Sequence, residues 1–297
     1  MGIRSEKSIQ ALSRDNLLRD LYTRMLFTRL VDEYAWEASQ EGDLGFVASC
    51  CGHEAAQVGS AACIKVGQDF TLPYYRDLGV VLTIGMTPYE VFRTYRQNRQ
   101  LPDEQSNTPP LQPVSHWGYH KHNLVTAPAP VATQILHAAG IAFACKLRKA
   151  PAVTLAYCGD GATAEPDFLE GITFAAQHQL PAIFICEQDC TDPSISTLSK
   201  LSLPDGLEYS QIDGSQVLSV YTATQDAIER AHANRGPTLL EIRVTRANPG
   251  TLLTNDPLFQ CSELLKTSHA WDETWANDLE SRLRREIEQA LNDVLAE

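Results

Sequence analysis

Residues 156–189 read AYCGDGATAEPDFLEGITFAAQHQLPAIFICEQD. The apolar run at residues 151–157 leads directly into Gly159-Asp160-Gly161, and a second apolar run at residues 182–186 follows a stretch with helical periodicity. This order of strand, tight turn, helix and strand predicts a βαβ unit, in which the two strands are parallel. The sequence therefore predicts an α/β domain with a mostly parallel sheet flanked by helices.

Acidic side chains follow both predicted strands. Asp160 ends the first strand, and Glu187 and Asp189 end the second. Because the carboxyl ends of parallel strands lie at one edge of a sheet, where open α/β sheets bind ligands, we expect Asp160 and Asp189 to lie close together. Carboxylates facing a helix N-terminus suit Mg²⁺ with a phosphorylated ligand, since the carboxylates bind the metal and free backbone N–H groups bind the phosphate.

The composition narrows the class of protein. With 297 residues, 43% of them apolar, the chain can bury a large core. A net charge of −13, from 24 basic and 37 acidic residues, disfavours binding to nucleic acid or to an anionic membrane. No apolar stretch approaches the roughly 18 residues that span a bilayer, and the first ten residues lack the apolar core of a signal peptide. The sequence thus predicts a cytoplasmic protein.

Segments with helical periodicity lie on both sides of the central βαβ unit. Apolar residues recur at helical spacing between Asp15, which is placed to cap a helix, and Gly42, which predicts a long amphipathic helix. A charged helix with a thin apolar stripe is predicted for residues 275–296. We therefore predict an N-terminal helical extension at residues 1–44, the α/β domain at residues 45–260 and a C-terminal helical extension at residues 261–297.

Long loops are predicted on both sides of the central unit. Residues 97–123 are polar and rich in Pro and Gln, and residues 246–260 follow an apolar run at residues 237–244 that predicts a further buried strand. His120 and His122 end the first loop. Because no Cys or carboxylate completes a ligand set around them, they are interpreted as solvated rather than as metal ligands.

The sequence PYYRD at residues 73–77 directly precedes a predicted helix. One interpretation is an anion clasp, because the Arg76 guanidinium offers two parallel donors to a phosphate and the Tyr75 hydroxyl can add a third. The alternative is a surface salt bridge between Arg76 and Asp77. His53, at the start of another predicted helix, is interpreted as a structural or capping residue.

Five blocks of sequence, taken together and in order, resemble the alpha subunit of the decarboxylase component of 2-oxo acid dehydrogenase complexes. They are residues 52–59, residues 73–80, His116-Trp117-Gly118, residues 131–134 and residues 159–165. The Gly159-Asp160-Gly161 turn, followed by polar residues at the end of the next strand, resembles the thiamin diphosphate motif. The blocks are most similar to the branched-chain, or 2-oxoisovalerate, type.

The resemblance implies a thiamin diphosphate-binding fold with Mg²⁺ and a structural K⁺ as metals. The implied Mg²⁺ ligands are Asp160, Asp189 and a backbone carbonyl near Thr191. The implied cofactor-binding residues are Tyr75, Arg76, Val131, Gly159, Asp160, Gly161, Ala162 and Asp189, with Val131 beside the thiazolium. The residues that match a K⁺ loop are Val131, Thr133 and Gln134.

The implied activity is oxidative decarboxylation of a branched-chain 2-oxo acid, followed by acyl transfer to the lipoyl group of an acyltransferase partner. In this family two alpha and two beta chains form a heterotetramer, and the beta chain supplies the glutamate that activates the cofactor. The resemblance therefore assigns no certain catalytic residue to this chain and implies that it is inactive alone.

The sequence differs from the family pattern at several places, two of which concern residues expected at the cofactor site, and it leaves alternatives open. Gln188-Asp189 stands where the family has paired Asn, and Pro249-Gly250 lies where the family has a loop His. A pyruvate or acetoin dehydrogenase alpha subunit is one alternative, and a degenerate, non-catalytic alpha subunit that assembles or regulates is another. A nucleotide-binding oxidoreductase is a third, although the glycine triplet expected after the first strand is missing.

Overall fold

The computed structural model describes residues 6–97, 117, 121–126, 130–191, 198 and 201–297, with residues 6–13 as helical backbone only. Within these residues one parallel sheet runs in the order β1-β2-β3-β5-β4. Its strands are β1 (Phe70–Leu72), β2 (Thr154–Gly159), β3 (Ala182–Asp189), β4 (Glu208–Asp213) and β5 (Thr238–Val244). The predicted α/β class is confirmed.

Helices cover both faces of the sheet. They are α1 (Glu6–Gln40), α2 (Glu54–Ala61), α3 (Leu78–Ile84), α4 (Pro88–Gln97), α5 (Thr133–Arg148), α6 (Pro166–Gln177), α7 (Val217–His232), α8 (Pro257–Thr267) and α9 (Glu273–Leu295). The predicted βαβ unit is β2, α6 and β3, and α6 begins at Pro166, whose fixed φ suits the first helical position. No helix in the described part of the chain is long and apolar enough to span a membrane.

Side chains of the central strands alternate between two cores. Tyr157 and Ile185 pack in the core that includes α2, α3 and α7, whereas Cys158 and Phe184 pack in the core under α5 and α6. All eight residues of β3 are buried. Strands covered on both faces read as continuous apolar runs, which is why β2 and β3 could be recognised in the sequence.

Two elements differ from the prediction. Residues 246–260 were predicted to form a loop, but α8 begins at Pro257, and Asp256 caps it by accepting hydrogen bonds from the N–H groups of Leu258 and Phe259. Strand β1 was not predicted, because it has only three residues and ends directly before Pro73. The apolar stripe of α9 is buried against α1 and α4.

Most of the loop predicted at residues 97–123 lies outside the described residues, as does the prediction for His120. Trp117 is described: its ring is fully buried and its Nε1 donates to the backbone oxygen of Tyr74 at 3.0 Å. The division of the chain into two extensions and a domain stays a prediction.

Candidate functional site

Asp160 and Asp189 meet at the carboxyl edge of the sheet. Asp160 follows the last residue of β2, and the register that pairs Gly159 with Glu187 brings it beside the end of β3. Asp160 Oδ2 accepts from the Asp189 backbone N–H at 3.2 Å and from Gln188 Nε2 at 3.1 Å, and Oδ1 accepts from the Gly161 N–H at 2.8 Å. The Asp160 carboxylate therefore lies against the backbone of Asp189.

The Asp189 carboxylate is held from two sides. Its Oδ1 accepts from the Thr191 backbone N–H at 2.9 Å and from the Thr191 hydroxyl at 2.6 Å. Its Oδ2 lies 3.2 Å from Nε of Arg246, in the segment after β5. Thr191 is thus tied to Asp189 through hydrogen bonds that fix the orientation of the carboxylate.

The two carboxyl groups have pKa values shifted in opposite directions. Burial, with a smaller contribution from the charge of Asp189, raises the pKa of Asp160 above its ordinary value. Burial also acts to raise the pKa of Asp189, but the hydrogen bonds from Thr191 and the charge of Arg246 outweigh it and lower that pKa. Asp189 is the more strongly stabilised as an anion.

The donor set at this edge fits a magnesium ion that also binds a phosphorylated ligand. Within the described part of the chain, no cluster of three or more His, Cys, Asp and Glu side chains could hold a metal alone. Mg²⁺ is commonly bound through one or two carboxylates plus phosphate oxygens and water. A carboxylate has about four lone-pair positions; Asp160 Oδ1 accepts one hydrogen bond, from the Gly161 N–H, and Asp189 Oδ2 forms an ion pair with Arg246.

The predicted clasp lies beside this edge. Asp77 is buried and its Oδ2 accepts from the Tyr74 N–H at 2.7 Å, while Arg76 donates through Nη1 to the Ser49 backbone oxygen. The surface salt bridge between Arg76 and Asp77 is therefore not formed in the described structure. The ring of Tyr74 packs against Gly159, where an added Cβ would lie 3.6 Å from Tyr74 Cε2.

The segment predicted to support the thiazolium and a potassium ion begins α5. Val131 is half exposed, at 50%, and Ala132 has a left-handed φ of 73°. The Thr133 hydroxyl donates to Asp167 at 2.9 Å, and Gln134 Nε2 donates to the backbone oxygen of Tyr157 at 3.0 Å. These two side chains tie α5 to α6 and to β2.

Comparison with known proteins identifies the family. Residues 22–252 match the family described as dehydrogenase E1 component. The chain belongs to this family. It is 35% identical over 288 residues to the 2-oxoisovalerate dehydrogenase subunit alpha of Bacillus subtilis (strain 168), covering 93% of this chain and 86% of that protein. It is 30% identical over 308 aligned residues to the pyruvate dehydrogenase E1 component subunit alpha of Staphylococcus aureus (strain Mu50), covering 94% of this chain and 78% of that protein.

The family resemblance stated from the five sequence blocks is confirmed by these matches. In this E1 chain, side chains of the first two blocks contact Glu187 of β3, and Gln134 of the fourth block contacts the backbone of β2. Gln57 of the first block donates through Nε2 to the backbone oxygen of Arg76 in the second at 3.1 Å, and its Oε1 accepts from the Gly79 N–H at 2.9 Å. One side chain thus links the first two blocks.

A buried polar cluster beneath the clasp was missed by sequence reasoning. Glu187 Oε2 lies 2.6 Å from His53 Nδ1 and accepts from the Tyr74 hydroxyl at 2.8 Å and from Gln57 Nε2 at 3.2 Å. All four side chains are buried. The signal that could have revealed it is a carboxylate inside a strand that is otherwise apolar, because such a group needs several donors.

The cluster joins α2, the clasp and β3 into one unit. Burial, followed by the charge of Glu187, raises the pKa of Asp77 well above its usual value. The same two causes, in the same order, raise the pKa of the Tyr74 hydroxyl well above its usual value. Tyr74 is therefore held as a neutral hydrogen-bond donor to Glu187, with its ring against the Gly159 turn.

Proposed function

We propose that this chain is the alpha subunit of a branched-chain 2-oxo acid dehydrogenase decarboxylase component and that it binds thiamin diphosphate with Mg²⁺. The observation that carries the proposal is the meeting of Asp160 and Asp189 at the ends of two parallel strands, next to a 3₁₀ helix at Asp160–Ala164 and the Arg76 clasp. Family membership supports the cofactor, and the 35% identity to a 2-oxoisovalerate dehydrogenase subunit favours the branched-chain substrate over pyruvate.

Each side chain has a proposed task. Asp160 and Asp189 hold Mg²⁺ together with a carbonyl near Thr191, because hard carboxylate oxygens suit this ion. Arg76 would bind the diphosphate with Tyr75, helped by the backbone of Gly161 and Ala162, which follow Gly159. Val131, whose side chain is half exposed, would lie beside the thiazolium. A potassium site at Val131, Thr133 and Gln134 stays a prediction.

When bound, thiamin diphosphate supplies the electron sink for loss of CO₂ from a 2-oxo acid. This chain contributes orientation and charge: Arg76 is anchored to Ser49, and the Glu187 cluster holds the backbone that carries Arg76. We propose that a beta subunit provides the activating glutamate in a heterotetramer of two alpha and two beta chains. Transfer of the acyl group to the lipoyl arm of an acyltransferase component would complete the proposed activity.

A second candidate is an alpha subunit that assembles or regulates without turning over substrate. It is favoured by the segment after β5, in which Pro249-Gly250 offers no imidazole and Gly250 adopts a φ of 83°. A subunit of this kind would form the complex but would not complete acyl transfer. The two candidates differ in turnover, not in fold.

Co-expression with the beta chain tests the proposal. The purified complex should release CO₂ from 2-oxoisovalerate only with thiamin diphosphate and Mg²⁺, and faster than from pyruvate. Asp160→Ala should abolish Mg²⁺-dependent cofactor binding measured by calorimetry, whereas Asp226→Ala, at an exposed position on α7, should leave it unchanged. Cofactor binding without release of CO₂ from either acid would favour the assembly candidate, and a faster reaction with pyruvate would reassign the substrate.

A further inference from the structure

We propose that Arg246 is a positioning residue for Asp189: its guanidinium orients the Asp189 carboxylate, which would ligate the metal, and offsets the charge of this second carboxylate. This inference rests on the proposed cofactor site. It assigns a task to a residue outside the predicted site, in the segment after β5 where the family's imidazole is absent. In this proposal Arg246 acts through Asp189 and does not contact the substrate.

The sheet brings the two residues together. Strand β5 lies beside β3, and the register pairs Asp189 with Val244, two positions before Arg246. The pairing continues past the strand, because the Cys190 N–H donates to the Val244 backbone oxygen at 2.9 Å. Arg246 therefore leaves the sheet directly beside Asp189, and its Nε lies 3.2 Å from Oδ2.

The partners of Asp189 divide between its two oxygens. Thr191 donates both of its hydrogen bonds to Oδ1. Oδ2 forms the ion pair with the guanidinium of Arg246. Partners of this kind orient ligating carboxylates in many metal sites, and their loss typically weakens metal binding by about 10- to 100-fold.

The negative charge at the site is a second reason for a positively charged residue beside Asp189. The Asp160 carboxylate lies at the backbone of Asp189, and the charge of Asp189 acts on it; a diphosphate would add further negative charge. The Asp189 side chain is only 8% exposed, so water screens its charge poorly, whereas Arg246 is 52% exposed and needs little desolvation. A guanidinium at this position offsets the charge of Asp189 when an anionic ligand binds beside it.

An ordinary surface ion pair is the alternative explanation of this contact. Pairs with an exposed partner usually contribute less than about 1 kcal/mol to stability. Such a pair would affect the melting temperature of the complex slightly and would leave the affinity for cofactor unchanged. A substitution of Arg246 would therefore change the affinity for cofactor if Arg246 positions Asp189, and only the melting temperature if the contact is an ordinary surface ion pair.

The test is a double-mutant cycle on the complex with the beta chain. Mg²⁺ and thiamin diphosphate are titrated by calorimetry into the wild type, Arg246→Gln, Asp189→Asn and the double variant. We expect Arg246→Gln to weaken cofactor binding by about tenfold or more in the wild-type background. In the Asp189→Asn background the same change should alter affinity less than about twofold, because no carboxylate remains to be held or offset.

Two further variants make the result specific. Arg246→Lys keeps the charge and should recover part of the affinity. Arg243→Gln is the matched control, because Arg243 is another exposed arginine near the end of β5 but donates to Cys190 Sγ at 3.3 Å and not to Asp189. It should bind cofactor as the wild type does, and thermal melting of the cofactor-free complexes shows whether each variant is folded.

The outcomes separate the inference from the proposed function. A wild-type complex that binds no cofactor overturns both. A wild-type complex that binds cofactor, with unchanged affinity in Arg246→Gln or an equal loss in both backgrounds, overturns the role of Arg246 alone. A loss equal to that of the control Arg243→Gln would also overturn it, because the effect would then come from net charge.

Discussion

Nδ1 of His53, at the position before α2, lies 2.6 Å from Oε2 of Glu187, on β3. The same oxygen accepts from the Tyr74 hydroxyl and from Gln57 Nε2. Through Gln57 the contact extends to the backbone of Arg76. The position of the clasp therefore depends on a carboxylate buried behind it and not only on the local PYYRD sequence.

Glu187→Ala should lower the free energy of unfolding by about 3 kcal/mol, because it leaves three buried donors without their acceptor. Urea unfolding monitored by circular dichroism measures the change. Glu170→Ala, at an exposed position on α6, is the control and should stay within about 0.5 kcal/mol of the wild type. Equal stability of the two variants would mean that the cluster contributes little to the folded state.

Asp32 should make stability depend on pH. It is fully buried on α1, where it accepts from the Ser49 hydroxyl at 2.6 Å and the Cys50 N–H at 3.2 Å, and burial raises its pKa from 3.8 to about 7. The folded state therefore binds this proton more tightly than the unfolded state. The stabilisation is complete below pH 3.8 and is lost as the pH rises towards about 7.

The comparison of wild type with Asp32→Asn isolates this titration, since the amide has no proton to lose. Urea unfolding at several pH values between about 5 and 8 should show the wild type losing stability relative to the variant as the pH rises. The difference in the free energy of unfolding between the two proteins should become constant above the raised pKa of Asp32. A difference that stays constant across this range would exclude Asp32 as the titrating group.

The sequence predicted the strands that are almost entirely buried, because such strands are mostly apolar. Strands β2 and β3 are covered on both faces and read as continuous apolar runs, so the βαβ unit and the approach of Asp160 to Asp189 followed from a local pattern. The start of α8 was missed although Asp256 and Pro257 form a cap and first-turn signal, because the preceding residues are irregular.

Contacts between distant parts of the chain could not be read from the sequence. His53 and Glu187 are 134 positions apart, and their pairing depends on how α2 packs against the sheet. The contact of Arg246 with Asp189 depends on β5 lying beside β3, whereas chain order alone would not place it there. Packing and strand order, which no single segment encodes, decide both contacts.

Gly52, two positions before α2, lies against the backbone of Thr245, which directly follows β5, and Gly52→Ala should be strongly destabilising. Its φ of +91° is left-handed, and an added Cβ would overlap the backbone oxygen of Thr245, next to Arg246. The matched control is Gly42→Ala, because Gly42 has a φ of +85° but nothing within 4 Å of its added Cβ. The two variants share the backbone strain and differ only in the overlap.

Gly42→Ala should lower the free energy of unfolding by about 1 kcal/mol, from the left-handed conformation alone. Gly52→Ala should lower it by about 3 kcal/mol, because relief of the overlap requires the backbone of one element to shift. Urea unfolding gives both values. Because the shift would move the segment that carries Arg246, Gly52→Ala should also weaken cofactor binding in the complex while Gly42→Ala should not. An equal decrease in the free energy of unfolding for the two variants would show that the backbone can relax around an added Cβ at Gly52 without further destabilisation.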